Sequence, residues 1–152
     1  MAELTLFEFA DKMNQVMPVI IKEFARRQAN ELYKGKITLP QFLILDFLHR
    51  QDESKMSALA HFMGVTTAAM TGIVDRLVRD GFVVRENQTE DRRIIKIKLT
   101  SKGAELVKKV NTQRRQMIIK IFGRISEKDR QEYLRILMQI KEILSKDITY
   151  VP

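Results

Sequence analysis

The residues with the clearest chemical potential are Asp91, Arg92 and Arg93, which end a polar stretch that begins at Thr89. At a turn, an aspartate can hold one guanidinium in place while a neighbouring arginine enters a narrow minor groove of DNA. A solvated turn with incidental charges is the alternative interpretation of the same residues. These side chains therefore predict a groove contact only if the elements around them also fit a nucleic acid.

The two arginines also begin the most basic segment of the chain. The 152 residues carry 27 Lys and Arg against 19 Asp and Glu, a formal net charge of +8. Residues 92–124 hold 11 of the bases and a single acid, Glu105, which leaves 16 bases and 18 acids elsewhere. Because the excess lies in one segment, nucleic acid is the leading partner and an anionic membrane surface the second. We expect double-stranded DNA and no membrane.

Other kinds of chemistry find little support. The 45% hydrophobic and 30% charged content is typical of a folded domain and excludes a disordered tail. The chain has no cysteine, and its longest apolar run, Val16–Ile21, is too short to span a bilayer. The two histidines, His49 and His61, lie in no cluster with metal-ligand spacing, and phosphate-loop, dinucleotide and zinc-protease motifs are absent. We therefore expect no metal, no cofactor, no enzymatic activity and a cytoplasmic location.

A helix predicted from a Thr66 cap to Asp80 is the second candidate for a nucleic-acid contact. Its inward positions are Met70, Ile73, Val74 and Leu77. Its outward positions are Ala68, Gly72, Asp75 and Arg79, flanked by Ala69, Thr71 and Arg76. Small residues in the first two turns would let the backbone approach a major groove, where threonine hydroxyls and methyls reach base edges. Packing of this face on another part of the protein is the alternative.

The neighbouring elements match this interpretation. The hydrophobic periodicity predicts a mainly α fold with a small β-hairpin. The first predicted elements are a helix over 6–33 that is ended by residues 34–36, a helix from Thr38 to His49, and a polar loop over 49–54. A helix over 55–63 is ended by Gly64, and the Thr66–Asp80 helix is ended by Gly81. Strands over 82–86 and 93–99 follow, then a helix over 101–122 and a last helix from Ser126. Two helices joined by a tight glycine turn and followed by a basic hairpin are typical of a winged helix-turn-helix.

The stretch Leu39–Gly103 resembles the DNA-binding core of the multiple-antibiotic-resistance regulator (MarR) family. The resemblance is carried by VDRLVRDGFVVR at 74–85, DRR at 91–93 and LTSKG at 99–103. Each motif is weak alone, and their order and spacing make the match specific. The resemblance implies a single MarR-like domain over 1–152. In it, 37–103 form the winged helix-turn-helix DNA-binding core, and 1–36 and 104–152 form N- and C-terminal dimerisation helices.

The resemblance also implies a function. A family member of this plan is a sequence-specific regulator of transcription, a repressor, that binds a pseudo-palindromic operator in double-stranded DNA as a homodimer. The family's wing arginine maps onto Arg93 and its holding aspartate onto Asp91. We expect the DNA-binding residues to be Ser57, Thr66, Thr67, Ala68, Thr71, Gly72, Asp75, Arg76, Arg79, Asp91, Arg92, Arg93, Lys96 and Lys102.

Two further expectations follow from the resemblance. The family plan implies a pocket for a small aromatic or phenolic ligand that loosens DNA binding. Its expected lining is Met13, Met17, Ile20, Phe42 and Leu45 together with helix 101–124, although ordinary core packing would explain each of these residues. The alternative function is a winged-helix protein-interaction module without specific DNA binding. Such a module would carry aromatic anchors on the exposed helix, where this chain has small residues.

Overall fold

Residues 4–28 and 37–147 are described by a computed structural model of the chain. They form α1 (Leu6–Gln28), α2 (Leu39–Gln51), β1 (Glu53–Lys55), α3 (Met56–Met63), α4 (Thr67–Arg79), β2 (Val83–Asn87), β3 (Ile95–Leu99), α5 (Ser101–Phe122) and α6 (Glu127–Asp147). The mainly α fold with a small sheet is confirmed. The predicted end of the first helix, at 34–36, lies outside the described residues. The chain divides into two compact units, 1–113 and 114–152.

The core of the first unit is one cluster of apolar side chains from α2, α3, α4, the sheet and the start of α5. Its fully buried members include Phe42, Leu45, Leu59, Met70 and Ile97. Burial of each such side chain stabilises the fold by about 1.5–3 kcal/mol. The predicted inward face of α4 is confirmed, because Met70, Val74 and Leu77 are buried and Ile73 packs partly buried against the same cluster.

The sheet has one strand more than the predicted hairpin. The order is β1-β3-β2, so that β3 is central and pairs antiparallel with both neighbours. β1 occupies part of the stretch that we expected to be a polar loop, and its Ser54 lies opposite Ile97. Three residues are too few to show an alternating pattern, and β1 is a strand only because β3 offers it an edge.

Local capping signals set the helix ends as predicted. The Thr38 N–H donates to Gln41 Oε1 at 2.9 Å, and the Gln41 N–H donates to Thr38 Oγ1 at 3.4 Å, which is the expected capping box of α2. Gly64 ends α3 with a φ of 64°, a left-handed conformation that favours glycine. The Ala69 N–H donates to Thr66 Oγ1 at 3.1 Å, so Thr66 is the N-cap of α4.

The second unit contains the end of α5 and all of α6. Ser126 caps α6, because its hydroxyl accepts from the Asp129 N–H at 3.1 Å. The Arg130 guanidinium donates to the Phe122 carbonyl at 3.2 Å, and the rings of Phe122 and Tyr133 lie 5.4 Å apart. These contacts fix the turn between the two helices.

Two helices leave long apolar faces exposed in the single chain. The exposed apolar residues of α1 are Leu6, Phe7, Phe9, Met13, Val16, Met17, Val19, Ile20 and Ile21. Those of α6 are Tyr133, Leu134, Ile136, Leu137, Met138, Ile140, Ile143 and Leu144. Among the described residues, no single helix has the length and hydropathy of a membrane span, and only α3 and α4 taken together do, with a bend of 106° between them.

Candidate nucleic-acid interface

The amino-terminal half of α4 presents a face of small side chains to solvent. Thr67, Ala68, Ala69 and Gly72 are all exposed. The Thr71 hydroxyl donates to the Thr67 carbonyl at 2.8 Å, and Thr71 is half-buried beside them. A Cβ added at Gly72 would meet no atom of the described residues within 4 Å, so no contact in that part of the chain requires glycine there. This face can approach another surface closely at the level of the backbone.

The centre of the same face is tied to the sheet. The Arg85 guanidinium of β2 donates to Asp75 Oδ1 in an ion pair between the two elements. Asp75 belongs to our predicted DNA-binding set, and in the DNA-free chain its carboxylate is paired with Arg85. Arg85 is absent from our predicted set. The only signal in the sequence is the opposite charge of two residues ten positions apart, which means little until the turn at Gly81 is known.

The carboxyl-terminal half of α4 carries two exposed arginines. Arg79 lies 3.4 Å from Asp80 Oδ1, and its side chain stays 73% exposed, so this neighbouring pair is weak. Arg76 is exposed and makes no ion pair with an acid in the described part of the chain. Both guanidinium groups are therefore available to an anionic partner beside the small-residue face.

The tip between β2 and β3 is held by backbone contacts. The Arg93 N–H donates to Asp91 Oδ1 at 2.9 Å, and the Ile94 N–H donates to the Asp91 carbonyl at 3.0 Å. The short Asp91 side chain accepts from the backbone two residues ahead, and it makes no ion pair with a guanidinium among the described residues. Asp91 thus fixes the turn, and the exposed side chains of Arg92 and Arg93 project from it.

Four charged residues form a ladder across the three strands: Glu53, Lys96, Lys98 and Glu86. Lys96 pairs with Glu53, and the Lys98 Nζ lies 2.7 Å from Glu86 and 3.4 Å from Glu53. Hydrogen bonds and charge from Lys96, and then from Lys98, lower the pKa of Glu53, and Glu86 does most to raise the pKa of Lys98. Lys96 is in our predicted DNA-binding set, yet its side chain is only 22% exposed and belongs to this ladder.

The remaining predicted contacts lie at the edges of the interface. Lys102 donates to the Asp80 carbonyl at 2.7 Å and lies 4.7 Å from the centre of the Phe82 ring, so it braces the end of α4. A Cβ at Gly103 would lie 2.1 Å from the Phe82 carbonyl oxygen, which explains the glycine of the LTSKG motif by close packing. Ser57 is exposed at the start of α3.

The expected ligand lining divides between two environments. Phe42 and Leu45 have no exposed surface and belong to the core, whereas Met13, Met17 and Ile20 are exposed on α1. The described residues also contain no group of three or more His, Cys, Asp or Glu side chains that could hold a metal ion. The candidate interface is the surface built from α4, the sheet and its tip.

Known proteins resemble this chain in sequence and in fold. The MarR family profile matches residues 37–95. The HTH-type transcriptional repressor YetL of Bacillus subtilis (strain 168) is 33% identical over 142 residues, which cover 93% of this chain and 80% of YetL. The similarity therefore extends well beyond the winged helix-turn-helix core.

Two solved structures share the fold at 20% identity. A MarR family protein from Bacillus stearothermophilus superposes with a TM-score of 0.81, and the match covers 93% of this chain and 99% of the Bacillus stearothermophilus chain. Streptococcus pneumoniae FabT in complex with DNA superposes with a TM-score of 0.80 over 90% of this chain and 98% of its own. These structures show the shared fold, and the MarR family profile with the 33% identity to YetL shows that the chain belongs to the MarR family.

Proposed function

We propose that this chain is a sequence-specific, double-stranded-DNA-binding repressor of transcription that acts as a cytoplasmic homodimer and not as an enzyme. The observation that carries the proposal is the exposed half of α4, where small uncharged side chains are bordered by the arginines Arg76 and Arg79. The similarity to YetL, which is named a transcriptional repressor, and to the DNA-bound FabT structure supports the same function.

In this proposal α4 is the recognition helix in the major groove. Thr67, Thr71 and Ala68 offer hydroxyl and methyl groups to base edges, and the free N–H groups of the first turn favour a phosphate. Glycine is unfavourable inside a helix, because it makes the helix about 1 kcal/mol less stable than alanine does at the same position. Gly72 lies on open surface within α4, and close approach of DNA would account for it.

The wing tip supplies a second contact, in the minor groove. Arg92 and Arg93 are exposed at a turn that Asp91 holds by two hydrogen bonds. Narrow minor grooves have an enhanced negative potential that attracts arginine. The DNA-facing surface is completed by Thr66, Gly72 and Ser57. The elements that form this surface are held in place by the contacts of Asp75, Lys96 and Lys102.

The homodimer is supported by the exposed apolar faces of α1 and α6. Isolated helices are marginally stable in water, so such faces are normally covered by protein. A second copy would cover them and would place two recognition helices about 34–36 Å apart, one turn of DNA. Relief by a small aromatic or phenolic ligand stays a prediction of the family resemblance, and such a ligand must bind the DNA-incompetent dimer more tightly.

The proposal is tested by protection of the DNA upstream of the chain's own gene against hydroxyl-radical cleavage. We expect two protected half-sites about one helical turn apart, with minor-groove protection where the wing tips lie. A duplex of the same composition in scrambled order is the control. Binding of a protein partner with no protection of any DNA would favour the winged-helix interaction module instead.

A further inference from the structure

The ion pair between Asp75 and Arg85 joins the two elements that the proposed function places in different grooves. Asp75 belongs to α4, and Arg85 belongs to β2, the first strand of the wing. The side chains are 56% and 33% exposed, respectively, so the pair lies at the surface rather than in the core. Its worth to folding is accordingly small.

Both partners are anchored on rigid backbone. Arg85 lies opposite Ile97 on β3, and the Ile97 side chain is fully buried. Asp75 follows Val74, which is also fully buried. The pair therefore joins α4 to β2 across the turn at Gly81, and it adds a direct link between the recognition helix and the wing to their packing on the core.

The pair also has an electrostatic consequence for the α4 face. Asp75 places a carboxylate among exposed small residues, where a phosphate backbone would approach. An unpaired carboxylate in that position would repel DNA, since protein–DNA affinity depends strongly on charge. The guanidinium of Arg85 neutralises it from the side of the sheet.

We propose that Arg85 and Asp75 are positioning residues for sequence recognition. They hold the wing at one angle to α4, so that base contacts in the major groove and arginine contacts in the minor groove form together on the same site. The inference rests on the proposed function and adds that the pair determines the preference for operator over other DNA. A loss of the pair therefore changes specificity more than it changes stability.

The test compares Asp75→Asn, Arg85→Gln and the exchanged pair Asp75→Arg with Arg85→Asp in the full chain. Each protein is titrated with an operator duplex and with a scrambled duplex, and its melting temperature is measured. We expect Asp75→Asn to keep or raise affinity for scrambled DNA, because a negative charge is lost, while the operator preference falls about tenfold. Arg85→Gln exposes the carboxylate and weakens binding to both duplexes. The exchanged pair regains operator preference relative to Asp75→Asn.

Arg50→Gln is the matched control, because it breaks an arginine–aspartate pair within α2, where Arg50 lies 2.8 Å from Asp46. It should leave the operator preference unchanged. Operator preference equal to wild type in Asp75→Asn, or an exchanged pair no better than Asp75→Asn, would overturn the inference. Absence of operator preference in the wild-type protein would instead contradict the proposed function itself.

Discussion

The carboxylate of Asp91 accepts a hydrogen bond of 2.9 Å from the backbone N–H of Arg93, so the aspartate shapes the wing tip without neutralising either arginine. A guanidinium that is already paired must give up its partner before it binds DNA. The tip therefore presents the exposed side chains of Arg92 and Arg93, which Asp91 does not pair with, on a turn whose backbone is held by hydrogen bonds.

Replacement of Arg93 by alanine should weaken operator binding by about 1–3 kcal/mol and reduce the preference for narrow-groove sequences. The measurement is fluorescence anisotropy with operator duplexes that differ only in an A-tract at the position of the wing. Arg124→Ala removes the same charge far along the chain, outside the proposed interface, and serves as the control. Equal discrimination of the A-tract by wild type and Arg93→Ala would remove Arg93 from the interface.

Gly72→Ala and Gly103→Ala should have opposite effects on stability. Alanine at Gly72 meets open space and should stabilise the fold by about 0.5–1 kcal/mol, while its methyl group hinders close approach of DNA. Alanine at Gly103 collides with the Phe82 carbonyl and should destabilise the fold by about 1–3 kcal/mol. Urea unfolding and operator titration of both variants are the measurements. A Gly72→Ala protein that binds the operator as well as wild type would show that the face does not lie against DNA.

The ladder of Glu53, Lys96, Lys98 and Glu86 should make stability depend on pH. The folded-state pKa of Glu53 is lowered, chiefly by Lys96, so its contribution is present at neutral pH and is lost as the pH falls through that lowered pKa. Glu53→Gln should lower the urea midpoint at neutral pH, and its effect should shrink as the pH falls through the lowered pKa of Glu53. Glu105→Gln, at an exposed glutamate outside the ladder, is the control. The same pH dependence in both variants would contradict a role for the ladder.

A negative charge on the apolar face of α6 should dissociate the proposed homodimer. Leu137→Glu places a carboxylate among exposed apolar side chains, whereas Gln139→Glu adds the same charge about half a turn away. Light scattering should give twice the 17.8 kDa chain mass for wild type and Gln139→Glu, and a shift toward the single-chain mass for Leu137→Glu. A wild-type protein of single-chain mass at all concentrations would contradict the homodimer.

Features that depend on residues three or four positions apart could be predicted from the sequence. The Thr38–Gln41 capping box, the Thr66 cap and the Gly64 stop all belong to this kind, because each is decided within one helical turn. The inward face of α4 follows from the same periodicity.

Contacts between distant positions could not be predicted in this way. β1 needs the edge of β3, and the pair of Glu53 with Lys96 joins residues 43 positions apart. For the same reason the ion pairs of Asp75 with Arg85 and of Lys96 with Glu53 could not be predicted, since an isolated charge on a helix or strand face does not reveal its partner. Composition located the basic segment, whereas only the fold shows which of its cations are already paired.

Sequence-specific DNA binding is tested most directly by a titration of the purified chain against a duplex from its own upstream region and a scrambled duplex, at several salt concentrations. We predict markedly tighter binding to the upstream duplex and, for both duplexes, a linear fall of log affinity with log salt as phosphate contacts release counterions. Equal affinity for the two duplexes, or affinity independent of salt, would contradict sequence-specific recognition of DNA by α4 and the wing.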